Sequence, residues 1–502
     1  MTRTVLSLLG TASANLRAFS APGRPDMTYG ALRDVTGRVR RQLAAKGIGP
    51  GDRVAIVLPN GPEMAVAFLA VASGASAAPL NPAYTLAEYK FYLSDLAPKL
   101  VLVMPRSDNP VRQAAMDLGI AVAEVQVEPD APAGAFTLWN DEAEPSLPTP
   151  AHEALVLHTS GTTSRPKVVP LSQANLFASA RNIVQTLQLG PQDHCLNVMP
   201  LFHIHGIVAV VLASMHAGAS VCCTPGFNAL TFFSLAVDQR PTWYSAVPTM
   251  HQAIVQRATR NDAALSQIAF RFVRSSSASL PGPVFSALEQ TFGCPVIEAY
   301  GMTEAAHQMA SNPLIPGGQR SGFVGLAAGP EIRILDGVGG PVETGLEGEV
   351  CIRGDNVTAG YENNPSANET GFFDDWFRTG DQGFLDQAGY LKITGRIKEI
   401  INRGGEKISP LEVDEVLLSC PGVAQAVTFA VPHSAYGEDV AAAVVLAEGA
   451  AISASDVRDY AARSLSAYKV PRKIVILDEI PKGATGKVQR IGLAKVLGLG
   501  GQ

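Results

Sequence analysis

"RVAIVLPNGPEMAVAFLAVASGASAAPLNPAYTLAEYKFYLSDLAPKLVLV", residues 53–103, reads as strand, helix, strand, helix, strand. The apolar runs Arg53–Leu58, Ala77–Leu80 and Lys99–Met104 have the length of buried strands. Alanine-rich helical spacings separate them. One opens on Pro62, whose missing N–H is no loss at a helix start. Alternation of this kind predicts an α/β fold with a parallel sheet covered by helices on both faces. The same rhythm recurs after residue 180, from "ARNIVQTLQLG" through "HAGASVCCTP" to "PVIEAYGMTE".

The pattern changes near residue 320. "EIRILDGVGGPVETGLEGEVCIRG" is β-rich and punctuated by glycine, as hairpins are. After "GYLKITGRIKEIINRGGEKISP" a compact tail follows with its own helix, "SPLEVDEVLLSC", and its own strands, "QAVTFAVP" and "DVAAAVVLA". A helix from Ser453 and a strand "KIVILD" complete it. That mix suits a small α+β domain. The boundary is expected at Gly395–Ile397, dividing the chain into residues 1–396 and 397–502. No repeat with a period of ~20–50 residues is present, which excludes a solenoid.

A chain of 502 residues with 47% hydrophobic and 17% charged residues has the composition of a soluble globular protein. Its net charge of −6, without a lysine/arginine cluster, argues against a nucleic-acid partner. The opening "MTRTVLSLLGTASANLRAF" is too polar for a signal peptide, and "GIVAVVLASMHAGASVCC" is broken by His216 and two glycines, against a membrane span. The six cysteines lack C-x-x-C spacing and read as reduced, buried thiols. "GLGLGGQ" at the end matches no organelle address. The expectation is a soluble cytoplasmic protein without integral membrane association.

"TSGTTSRPK" at 159–167 follows an apolar run. It differs from the G-x-x-x-x-G-K-[ST] loop of P-loop ATPases. Gly161 frees the backbone to approach a ligand, and Thr159, Ser160, Thr162, Thr163 and Ser164 supply hydroxyl donors. Lys167 adds a positive charge, so the loop suits a polyphosphate. By itself such a cluster is equally a polar surface turn.

Five further motifs decide between these readings: "PLFHIHG" at 200–206, "YGMTE" at 300–304, "RTGD" at 378–381, "GRIKEIINRGGEKISP" at 395–410 and "PKGATGK" at 481–487. In this order and over almost the full chain they resemble the adenylate-forming superfamily, which includes acyl-CoA synthetases, luciferases and the adenylation domains of peptide synthetases. The resemblance implies a large N-terminal AMP-binding domain of α/β subdomains with a β-rich part, and a small mobile C-terminal domain. It also implies two half-reactions. A carboxylate attacks the α-phosphate of ATP and expels pyrophosphate; a thiol, usually of coenzyme A, then takes the acyl group and releases AMP.

Under that resemblance each motif acquires a role. The 159–167 loop holds the leaving pyrophosphate. Glu304 is the hard oxygen ligand for Mg²⁺, and Thr303 bonds the α-phosphate. Ser277, Ala278 and Ser279, with Ala299, Tyr300, Gly301 and Met302, frame the adenine. Asp381 and Arg396 meet the ribose. Lys487 bridges the α-phosphate and the attacking carboxylate, while Lys398 is the hinge about which the small domain turns. Gly404 and Gly405 let the pantetheine arm of coenzyme A pass. One departure is Val168, where this family most often has glycine; it lies past the phosphate contacts, so a packing consequence is expected and not lost activity.

The segments expected to face the acid are polar. His203 and His205, His251, Arg274 and Ser277, and His307 fall there, four of the nine histidines among them. Histidines clustered with an arginine suit a second anion, hence a small dicarboxylate. A metal site at His203-x-His205 is the sharper alternative, but no third ligand has supporting spacing. The same segments, with "YGMTEAAHQMASNPL", resemble the oxalyl-CoA synthetases of plants and fungi, which implies oxalate as the acid. Other acids remain open here: malonate, a medium-chain acid or an aromatic acid. So does a free-standing adenylation module. A silent nucleotide-binding protein of this fold would be expected to have lost Lys487 or Glu304, and both are present.

Overall fold

The computed structural model describes residues 3–159, 166–481 and 489–500. Ser160, Gly161, Thr162, Thr163 and Ser164 of the phosphate loop, and Lys487, lie outside the described residues. Among the described residues the strands form sheets of six, nine, five and five.

The opening alternation builds the six-stranded sheet. Its order is Ala121–Glu124, Leu100–Val103, Arg53–Val57, Ser76–Pro79, Glu153–Thr159 and Lys167–Ser172. All neighbours are parallel except the last pair. Pro62 begins the helix Pro62–Ala72, in which ten of eleven residues are buried. A helix apolar all round must be covered on all sides, and this one packs into a core shared with the second sheet. The next helix, Leu86–Leu96, is started by a reciprocal cap in which Thr85 and Glu88 satisfy each other's backbone N–H groups.

Six strands of the nine-stranded sheet run parallel, in the order Arg17–Ser20, Ser220–Cys223, His194–Asn197, Trp243–Ala246, Phe272–Ser275 and Val296–Met302. The antiparallel strands His307–Ser311 and Leu326–Ala327 extend it. Its two faces carry separate cores. Trp243, Phe272 and Cys195 pack toward the first sheet, while Tyr244, Val273 and Leu196 pack with Phe232, Phe285 and Phe270 on the far side. This alternation decides below which polar residues meet.

Hairpins predicted after residue 320 form an antiparallel sheet that ends with Leu391–Arg396. After the turn Ile397–Glu399 the chain enters the last sheet at Ile401–Arg403. Val423–His433 and Gly437–Leu446 pair antiparallel there, and Lys473–Ile476 joins in parallel. Helices Pro410–Leu418 and Ala454–Ala461 cover one side. The fold is thus α/β with a β-rich part and a small α+β C-terminal part. No helix among the described residues is long and apolar enough to cross a membrane.

Val168 is 6% exposed and packs with Val57, Tyr89, Leu93 and Val156. Its side chain therefore belongs to the core under strand Lys167–Ser172. Val168→Gly should cost about 2 kcal/mol of stability, read as a lower unfolding midpoint, while pyrophosphate release at saturating substrates stays at the wild-type level.

Candidate active site

Strands Glu153–Thr159 and Lys167–Ser172 form a hairpin whose last ladder pair is Thr159 with Lys167. The phosphate loop therefore leaves and returns at adjacent points. The Lys167 ammonium sits 4.0 Å from the centroid of the Tyr361 ring. Burial lowers its pKa; the Glu304 carboxylate opposes that shift and the Lys398 charge adds to it. Lys398 lies in the turn Ile397–Glu399.

Glu304 occupies the short turn Thr303–Ala305 that follows Val296–Met302. Its carboxylate accepts a hydrogen bond from the Tyr361 hydroxyl at 2.8 Å, and its backbone carbonyl accepts from the Thr358 N–H at 2.7 Å. Burial raises its pKa. A buried carboxylate of this kind fits a hard cation, which would replace the solvent it has lost.

Behind it, Tyr300 donates to Asp381, and Arg396 Nε meets the other Asp381 oxygen at 3.0 Å. Asp381 and Arg396 are a ladder pair on neighbouring antiparallel strands, so the sheet itself sets their approach. Ser276 donates to the carbonyl of Ala299 at 2.9 Å, tying the segment before Ser277 to this strand. Ala278 and Ser279 are exposed beside it. Gly301 sits where a Cβ would lie 2.1 Å from the carbonyl oxygen of His307, so only glycine fits. Gly404 and Gly405 form a left-handed turn (φ 60° and 101°) between the strands Ile401–Arg403 and Glu406–Ile408.

The residues assigned to the acid divide. His205 is fully buried at the start of the π-helical stretch His205–Leu212. Its ring nitrogens face the hydroxyls of Ser277 at 3.0 Å and Ser245 at 2.6 Å. The His307 ring lies 5.1 Å away, centroid to centroid. Arg274 completes the group, with Ser245 and the Gln308 side-chain oxygen each at 3.3 Å and His205 Nε2 at 3.5 Å. Ser277 (φ 75°) and His307 (φ 99°) both hold left-handed backbone that non-glycine residues seldom adopt.

His203 stands beside this cluster. Its Nδ1 accepts the backbone N–H of His205 at 3.3 Å, while both His205 nitrogens face serines. The pair therefore does not converge as two ligands of one metal. No cluster of three or more metal-ligating side chains occurs among the described residues.

His251 corrects the expectation that it faces the acid. Its Nδ1 meets the Tyr244 hydroxyl at 3.1 Å. Tyr244 and Ser245 are successive strand residues and point to opposite faces. The His251 ring thus lies on the far side of the sheet from the Arg274 guanidinium and the Ser245 hydroxyl, beside Tyr244. Burial lowers its pKa to about 4, so it is a neutral core histidine at physiological pH.

Three residues in the site, Ser245, Gln308 and Tyr361, are absent from the motif reading, as is the buried Glu298 of strand Val296–Met302 outside the site. Gln308 directly follows His307, and Ser245 is the small polar residue of strand Trp243–Ala246; both signals were present. Tyr361 lies outside all six motifs. Glu298 is 2% exposed, accepts the Leu280 N–H at 3.1 Å and has an unpartnered Oε2.

The AMP-binding enzyme family matches residues 11–362, and the AMP-binding enzyme C-terminal domain matches residues 412–487. The chain belongs to the AMP-binding enzyme family. Within this family it is 46% identical to a probable CoA ligase (CCL9) of Humulus lupulus, covering 97% of this chain and 95% of the relative. It is also 46% identical to an oxalate–CoA ligase of Arabidopsis thaliana, covering 94% of each. Among solved structures, ATP-bound MatB from Rhodopseudomonas palustris superposes with a TM-score of 0.88 at 29% identity, covering 99% of both chains. The motif resemblance to the adenylate-forming superfamily is thereby shown.

Burial raises the Glu298 pKa to about 8, helped by the nearby Glu415 charge. A carboxyl whose pKa is higher folded than unfolded costs no stability below the unfolded value and a growing amount as pH rises toward 8. Glu298→Gln should therefore raise the unfolding midpoint near pH 8, and the gain should vanish as pH falls to about 4, near the unfolded carboxyl pKa. Thermal melts across that range check this.

Proposed function

We propose that the protein is an ATP-dependent acid–CoA ligase whose preferred acid is oxalate, activated as oxalyl-adenylate and released as oxalyl-CoA. One observation carries the choice of acid. Arg274 is fully buried, and no carboxylate accompanies it among the described residues. Its Nε has no partner among the described residues, and burial lowers its pKa to about 10. A buried guanidinium held only by neutral groups is a costly arrangement that a second anion would relieve. Oxalate brings such an anion directly next to the reacting carboxylate, with no methylene to bury. The Arabidopsis relative's name supports the same acid.

In this reading Arg274, His205, Ser277 and His307 hold the distal carboxylate, with Ser245 and Gln308 fixing Arg274. The near carboxylate oxygen attacks the α-phosphorus of ATP, and the bond to pyrophosphate breaks. Thr303 bonds the α-phosphate, and the loop from Thr159 to Lys167 receives the pyrophosphate. Glu304 would hold Mg²⁺, which supplies neutralisation of phosphate charge when bound. Asp381 and Arg396 fix the ribose beside Tyr300. Lys487, by its motif, stabilises the same transition state from residues 397–502. That part then turns about Lys398 relative to residues 1–396, bringing Gly404 and Gly405 to the pantetheine. The coenzyme A sulfur attacks the activated carbonyl, and the bond to AMP breaks. A cytoplasmic location suits six free cysteines and no membrane-crossing helix among the described residues.

Pyrophosphate release, with and without coenzyme A, across oxalate, malonate, acetate, octanoate and 4-coumarate tests this. Oxalate should give the highest kcat/KM; preference for octanoate or coumarate would overturn the acid and leave the ligase. Arg274→Leu should reduce kcat/KM for oxalate by roughly 100-fold or more, since a site built for a polar group discriminates strongly. His251→Gln, on the other face of the sheet, should lower the unfolding midpoint and leave the KM for oxalate unchanged.

A further inference from the structure

Lys167 and Glu304 carry opposite charges in a buried setting, yet they form no ion pair among the described residues. Tyr361 accounts for this. It is 8% exposed; its ring face carries the Lys167 ammonium at 4.0 Å, and its hydroxyl donates to Glu304 Oε1 at 2.8 Å. An aromatic face attracts an ammonium without supplying a counter-anion. A phenol donates one hydrogen bond to a carboxylate without supplying a counter-charge.

The tyrosine is itself held firmly. Its backbone N–H donates to the Asn368 side chain at 2.7 Å, and its carbonyl accepts from the same amide at 2.8 Å. Its neighbours stitch the same segment to both halves of the site. Glu362 N–H donates to the Val168 carbonyl at 3.0 Å, and the Thr358 hydroxyl donates to the Pro170 carbonyl at 2.8 Å. Thr358 N–H reaches the Glu304 carbonyl at 2.7 Å. The segment therefore joins the strand leaving the phosphate loop to the turn that carries Glu304.

We propose that Tyr361 is a positioning residue of the triphosphate subsite, holding the Lys167 cation and the Glu304 carboxylate apart so that both are available to Mg·ATP. This rests on the adenylate-forming reading but not on the identity of the acid. Removing the ring lets the ammonium and carboxylate collapse into a direct pair, since oppositely charged groups in a poorly solvated site attract strongly. Both would then be lost to the β- and γ-phosphates. AMP lacks those phosphates and would be indifferent to the change.

The test is equilibrium binding of Mg·ATP and of AMP, without acid, to the full-length wild type, Tyr361→Phe and Tyr361→Leu. For Tyr361→Leu, Mg·ATP affinity should fall by about tenfold or more while AMP affinity stays at the wild-type value. Tyr361→Phe keeps the ring and should fall between, with a higher Mg²⁺ requirement. A parallel loss of ATP and AMP affinity would mark a merely structural role and overturn the proposal. Unchanged ATP affinity in Tyr361→Leu would overturn it equally. A wild type that binds Mg·ATP but activates no oxalate would sink the acid assignment while the affinity ratio still decides the role of Tyr361.

Discussion

The approach of Gly301 to His307 is the constraint on which the site depends. Strand Val296–Met302 turns through Thr303–Ala305 and returns as His307–Ser311, so tightly that a Cβ on Gly301 would lie 2.1 Å from the His307 carbonyl oxygen. The outgoing strand carries Tyr300 toward Asp381, the turn carries Glu304 toward Tyr361, and the returning strand carries His307 and Gln308 toward His205 and Arg274. The groups proposed for the nucleotide and those proposed for the acid thus issue from one hairpin. Their separation is set by backbone geometry and not by long flexible side chains, which is what positioning an in-line attack requires. The left-handed backbone at Ala306 and His307 accompanies this turn, and the Ala306 carbonyl is held by Ser179 at 2.5 Å.

A second feature of the site is that two of its cations, Arg274 and Lys167, lack a carboxylate partner among the described residues, whereas Arg396 pairs with Asp381. Arg274 is surrounded by a serine, a glutamine and a histidine, and Lys167 rests on an aromatic ring. Some arginines elsewhere in the molecule are paired directly. Arg53 meets Glu153 and Glu362, and Arg490 meets Asp414 and Glu399. Such direct pairs neutralise one another, whereas Arg274 and Lys167 have no neutralising carboxylate among the described residues.

Much of this was legible before any coordinates. The strands at Arg53–Val57, Ser76–Pro79 and Leu100–Val103, the Pro62 helix and the small C-terminal fold follow from apolar periodicity and turn residues. Local patterns of this kind report burial directly, because each residue's exposure repeats with the element's own period. Arg274, His205 and His307 were also visible as polar residues in unusual places. His251 was visible for the same reason and misread, because a histidine near a site in sequence says nothing about which face of a sheet it occupies.

By itself the sequence determined the fold class, the order of the motifs and the chemistry their residue types allow, since those depend on local pattern and side-chain functional groups. Only the tertiary structure decided which groups meet. Phe19 pairs with Val221 across about two hundred residues of chain, and the Arg274 guanidinium meets the Ser245 hydroxyl and not the His251 ring because the strand register puts Ser245 on its face. Tyr361 reaches Glu304 from outside every motif because the antiparallel sheet after residue 330 folds back onto the hairpin. Such contacts are set by which apolar faces bury one another, and that choice is made by the whole chain packing at once.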